Sequence, residues 1–216
     1  MRSSYQPNNV SAFIRSLIAM AAMGALLMGG LFISAPASAA VDADKIKSLT
    51  IEGGTSDHRS KLVIKFPGAG LSKSEASSLR HALTRGQVRH QRFADVLQCG
   101  QKIGRMDSNG YFSIALYCGA PGTSTLPWGY KISPELRAVI TGLVAERGMA
   151  WWQNGQARPW NAPHVVSPDY QFHGTLGPVW WGDDIDYNDY FVFRVNVGGQ
   201  TGTASLTIAG TVQVRQ

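Results

Sequence analysis

Four carboxylates and a carboxamide fall within seven residues of this chain, at Asp183, Asp184, Asp186, Asn188 and Asp189. The whole sequence of 216 residues holds only 14 acidic side chains, so the crowding is local and calls for a cause. Like charges sit together where water screens them or where a cation holds them. Asp184, Asp186 and Asn188 alternate and Asp189 follows directly, a spacing with which a loop can wrap hard oxygen ligands around calcium. The flanks do not make an EF-hand. Counted from Asp184, its glycine and final glutamate positions hold Asp189 and Val195. Magnesium keeps more of its waters, and zinc or copper would want His or Cys, which the stretch lacks. The reading is a calcium site with Asp184, Asp186, Asn188 and Asp189 as ligands, completed by water, backbone or a second segment. The competing reading is a polar turn in which Asp and Asn serve turn geometry.

Aromatic residues crowd the same region. Of six tryptophans, five lie between Trp151 and Trp181, and Trp180 and Trp181 abut the acidic stretch. Flat aromatic faces beside an oxygen-rich site suit the C–H faces of sugar rings. Trp180, Trp181 and Tyr187 are therefore the candidate ligand contacts, with core packing as the alternative. A tryptophan pair on a strand would send one ring inward and one outward.

Other chemistries find little support. The five histidines lack zinc-ligand spacing, and there is no G-x-S-x-G, P-loop or dinucleotide fingerprint. A glycosidase needs two carboxylates held apart across a cleft. Asp169, Asp183 and Asp184 could be recruited, but acids crowded in one stretch are poor geometry for it, so binding is expected ahead of catalysis.

The string Asp184-Ile185-Asp186-Tyr187-Asn188-Asp189-Tyr190-Phe191-Val192-Phe193 resembles the aspartate-rich loop of the calcium-mediated bacterial lectins that bind fucose and mannose. It is also similar to an Asp-Tyr-Asn-Asp loop of other secreted bacterial β-domains. The resemblance implies that Asp184, Asp186, Asn188 and Asp189 take the ligand positions and that sugar hydroxyls complete the metal shell. The family's glutamate four residues before the loop is Trp180 here, and the chain end it uses as a ligand lies well beyond Asp189. One calcium ion is implied rather than two. Asp107-Ser108-Asn109-Gly110 loosely resembles the polar loop that supplies another ligand in that family.

The positioning elements read as mainly β, an antiparallel β-sandwich with one or two short added helices. Residues 1–39 read as a signal peptide: Arg2 and Arg15 precede the uncharged run Ser16–Ile33, and Ala37-Ser38-Ala39 offers a cleavage site. The alternative is an uncleaved anchor, since eighteen helical residues span roughly 27 Å. Residues 40–216 form a single exported domain, periplasmic or extracellular, without a membrane span of its own. Loss of Arg2 and Arg15 lowers the formal charge from +6 to +4, which does not point to nucleic acid. The basic residues from Arg80 to Arg105, with Arg85, Arg89, Arg92 and Lys102, read as a solvated face.

Ser48–Glu52 and Lys61–Phe66 form an opening strand pair. Ser72 and Glu75 make a capping box for a helix that buries Leu79, Ala82 and Leu83 and stops at Gly86. A turn centred on Ser108 and Asn109 sets Cys99 opposite Cys118, a pair that a disulfide can bridge in an exported protein. Two free thiols are the alternative. Ser133 and Pro134 open a second helix running to Gly148, in competition with a strand over Ala138–Val144. Tyr190–Val197 and Thr203–Val214 make the closing hairpin. The function expected is a calcium-binding sandwich that binds carbohydrate or another cell-envelope ligand. A structural or assembly protein with a purely structural calcium is the second expectation, and a polysaccharide hydrolase the third.

Overall fold

The final strands dominate the architecture. β12 (Asp184–Val197) and β13 (Gln200–Val214) pair along their whole length, from Asp184 opposite Gln213 to Val197 opposite Gln200. Gly198 and Gly199, both at positive φ, close the hairpin as a two-residue turn. The expected turn was longer; the strands instead pair right up to the glycines. The computed structural model describes residues 45–55, 57–85, 96–120, 123–166 and 169–215. The signal segment, Gly86, Arg89 and Arg92 lie outside the described residues.

Around this hairpin the larger sheet runs β1 (Ser48–Gly54), β2 (His58–Lys65), β13, β12, β8 (Met149–Gln153), β9 (Gln156–Asn161). β3 (Val96–Leu97) joins β13 in parallel, and β7 (Ile140–Glu146) pairs with β12. The smaller sheet runs β10 (His164–Val166), β11 (Gln171–Val179), β6 (Ser124–Ile132), β5 (Gly110–Ala115), β4 (Lys102–Met106). The two sheets make the expected sandwich. Its core is aromatic: Phe172 of β11 lies 4.2 Å from Phe191 of β12, and Phe112 of β5 stacks on Tyr187 of β12 at 4.8 Å. Ring pairs of this kind add to the area they bury, by about 0.5–1.5 kcal/mol each.

The hairpin β4–β5 has the expected register. Lys102 faces Ala115 and Ile103 faces Ile114, and the same register closes a disulfide between Cys99 and Cys118, with Cα atoms 5.5 Å apart. Helix α1 (Lys73–Thr84) carries the full capping box of Ser72 and Glu75. It buries Ala76, Leu79 and Leu83, whereas Ala82 is exposed. Helix α2 is one turn, Pro134–Arg137, under the Ser133 cap. The long second helix is therefore replaced by β7: β-branched Val139, Ile140, Thr141 and Val144 favour the extended chain, and edge pairing with β12 stabilises it. Gly148, at positive φ, turns β7 into β8 rather than stopping a helix. Among the described residues no helix is long and apolar enough to cross a membrane.

Candidate functional site

The acidic stretch is strand, not loop. From Asp184 onward it belongs to β12, and strand parity divides the four expected ligands. Asp184, Asp186 and Asn188 lie exposed on the outer face; Ile185, Tyr187 and Asp189 point into the sandwich. Same-face neighbours on a strand stand about 7 Å apart with nearly parallel side chains. Calcium needs its oxygens at about 2.3–2.6 Å from one centre. The four residues do not surround one point, which corrects the expected common site. Asp186 Oδ1 accepts a hydrogen bond from Thr211 Oγ1 at 2.7 Å across the hairpin.

Asp189 has become a core residue. Its Oδ1 accepts from the Tyr190 N–H at 2.7 Å, and its buried Oδ2 has no partner among the described residues. Burial raises its pKa to about 7, with the nearby Glu146 charge adding to the effect. Tyr187 is likewise buried, 3% exposed. Its ring stacks on Phe112 and its hydroxyl meets His58 Nδ1 at 3.1 Å, so a ligand in solvent cannot reach it. Burial, aided by the Arg105 charge, lowers the His58 pKa to about 4.

A different constellation forms where the chain passes from one sheet to the other. Trp180–Asp183 is a turn: Asp183 N–H donates to the Trp180 carbonyl at 3.2 Å, and the Trp180 N–H donates to Asp183 Oδ2 at 2.7 Å. Asn154 and Gly155, both at positive φ, turn β8 into β9 directly beside it. Gln153 Nε2 donates to Asp183 Oδ2, and Asn154 Nδ2 to Asp183 Oδ1 at 2.7 Å. Asn154 Oδ1 then accepts from the Asp184 N–H at 2.9 Å. The carboxylate of Asp183 thus staples the β8–β9 hairpin to the crossover through three donors.

This staple floors a recess of about 320 Å³, lined by Gln153, Asn154, Gln156, Arg158, Trp180 and Asp183. The Arg158 guanidinium is held 5.7 Å from the centre of the Trp151 ring. Trp180 lies at the recess and Trp181 follows it; each is 44% exposed. The expected division of the pair into one core and one surface ring is corrected, because both belong to a turn, where strand parity has no hold. Of the expected ligand contacts, the structure keeps Trp180 and Trp181 at the surface and removes Tyr187. Gln153, Asn154, Gln156 and Arg158 were not foreseen. The available signal was Asn154-Gly155, a two-residue hairpin turn between aromatic strands.

The second polar turn, Asp107–Gly110, is the reverse of this site. Ser108 and Asn109 are fully buried, and Asp107 Oδ1 accepts from the N–H groups of Asn109 at 2.8 Å and Gly110 at 3.1 Å. Asn109 Nδ2 donates to Ser60 Oγ at 2.7 Å, tying the smaller sheet to β2. Arg105, expected on a solvated face, is largely buried beside Asp57 at 3.8 Å. Asp169, weighed as a catalytic acid, instead pairs with Arg137 at 2.6 Å.

No protein-family model matches the chain, and no curated protein or solved structure matches it.

Proposed function

We propose that this chain is an exported carbohydrate-binding β-sandwich whose ligand site is the Trp180 recess. The observation that carries this reading is the joining of an exposed indole to a polar recess rich in amides, on a hairpin and crossover stapled together by Asp183. Sugars offer alternating hydroxyls and flat C–H faces, and such a lining answers both. Site and staple lie on ordered turns between strands, so little ordering is needed on binding. The disulfide fits an oxidising compartment outside the cytoplasm. Tryptophan fluorescence titrated with a panel of oligosaccharides tests the proposal. Saturable quenching that drops at least tenfold in affinity for Trp180→Ala supports it; silence across the panel sinks it.

Calcium belongs to a second reading. Asp184 and Asp186 share the outer face two residues apart, and an ion held by either carboxylate would be completed by water or by ligand hydroxyls. Such a site would be exposed and weak, serving the ligand or simply steadying the sheet. Thermal melting in EDTA, then with calcium restored, decides it. A rise specific to calcium over magnesium and absent in Asp186→Ala is the supporting result, and no shift at millimolar calcium removes the ion from the account.

A further inference from the structure

The polar groups around the recess are mostly committed to one another. Asp183 has both oxygens occupied by Gln153, Asn154 and the Trp180 N–H. Asn154 uses its amide nitrogen on Asp183 and its oxygen on the Asp184 N–H. Arg158 is the exception. Its Nε is buried without a hydrogen-bond partner, and no carboxylate among the described residues pairs with its guanidinium. Its guanidinium lies near the Trp151 ring, whose own indole N–H is held by the Pro159 carbonyl at 2.8 Å. A guanidinium lying near an aromatic ring keeps its N–H fork in a set direction, and a planar carboxylate is the group that such a fork fits best.

We infer that the recess selects an acidic sugar, a uronate whose carboxylate is forked by Arg158 while its ring lies against Trp180. This inference rests on the carbohydrate reading and adds the charge of the ligand to it. Both oxygens of Asp183 are turned to three donors, and Asp184 lies on the outer face of the sheet, so Arg158 is the group of the recess that a carboxylate would meet. Gln156, exposed at the start of β9, remains to meet a hydroxyl. The amides fix position and Arg158 supplies the discrimination.

The test is a calorimetric titration of the purified protein with a galacturonate hexamer and with the same hexamer after reduction of its carboxyl groups. The expected result is at least tenfold tighter binding of the acidic form, weakening as sodium chloride is raised. Arg158→Ala should erase the preference, bringing the acidic hexamer down to the affinity of the reduced one. Arg158→Lys keeps the charge without the fork and should retain only part of it; its melting temperature controls for lost packing on Trp151. Trp180→Ala should weaken both ligands. Equal binding of the two hexamers, or binding only of neutral oligosaccharides from a wider panel, overturns the acidic-sugar inference and leaves the carbohydrate reading standing. Failure of every acidic and neutral oligosaccharide overturns both.

Discussion

Two turns, Trp180–Asp183 and Asp107–Gly110, are each fixed by one aspartate carboxylate and end in opposite surroundings. In each, one carboxylate gathers nearby N–H groups and fixes a reversal of the chain. Around Asp183 the neighbours are an exposed hairpin and two exposed indoles, so the turn faces solvent and frames a recess. Around Asp107 the neighbours are β1, β2 and Tyr130, so the turn is sealed and ties the sheets together. Carboxylate and turn are common to both; what packs against them decides between an open recess and a buried strut.

The largest effects should come from crowding the sealed turn. A Cβ at Gly110 would strike the Lys131 carbonyl and the Tyr130 hydroxyl, so Gly110→Ala should cost about 3 kcal/mol or more. The counterpart at the open turn, Gly155→Ala, meets no atom and strains only a positive φ, for about 1 kcal/mol. Urea denaturation of the two variants measures the contrast, and equal losses would break the comparison. Replacing Cys99 and Cys118 by Ser opens the loop behind the sealed turn and should cost about 3 kcal/mol, while ligand affinity in the recess stays within twofold.

Asp183→Ala strikes the open turn itself. Three donors lose their acceptor, which should cost about 2 kcal/mol and abolish ligand binding. Asp183→Asn keeps an oxygen and should retain part of both, as melting and titration together would reveal.

The buried side also sets the response to pH. Folded Asp189 keeps its proton up to about pH 7, against an ordinary value of 3.8. Its contribution is therefore full below about pH 4 and is lost as pH rises through 7. His58 runs the other way: with its pKa lowered from 6.5 to about 4, its contribution is full above about pH 6.5 and is lost as pH falls to 4. The two largely offset each other, so the melting temperature should vary little across that window. Asp189→Asn removes one arm, and its melting temperature should climb by several degrees from pH 4 to 6.5. The smallest structural effect belongs to Trp180→Ala, which should shift melting by no more than about 2 °C while lowering ligand affinity at least tenfold.

Local pairings were legible in the sequence because they depend on neighbours in the chain. The turn at Ser108 and Asn109 fixed the register that set Cys99 against Cys118, and Ser72 with Glu75 marked the start of α1. The acidic stretch misled for a physical reason. Alternating Asp, Asp and Asn serve equally as loop ligands and as the wet face of a half-buried strand. Ile185 and Tyr187, interleaved with them, already carried the second pattern. In the same way β-branched residues after Arg137 outweighed the helical start marked by Ser133 and Pro134. The recess itself was least legible, since Gln153 and Arg158 come to Asp183 from a hairpin some thirty residues earlier, and only sheet pairing brings them together.

The outermost place of β9 in the larger sheet has a consequence for coexistence at high concentration. An unpaired strand margin offers its backbone to any other extended chain and so invites aggregation. Pro159 sits in that margin with no N–H to offer, and the Trp151 indole already occupies its carbonyl. On the smaller sheet the margins are short: β10 has three residues and β4 has five. Crowded copies of the protein are thereby discouraged from zipping together along these margins, and the same proline that blunts β9 steadies the indole beneath Arg158.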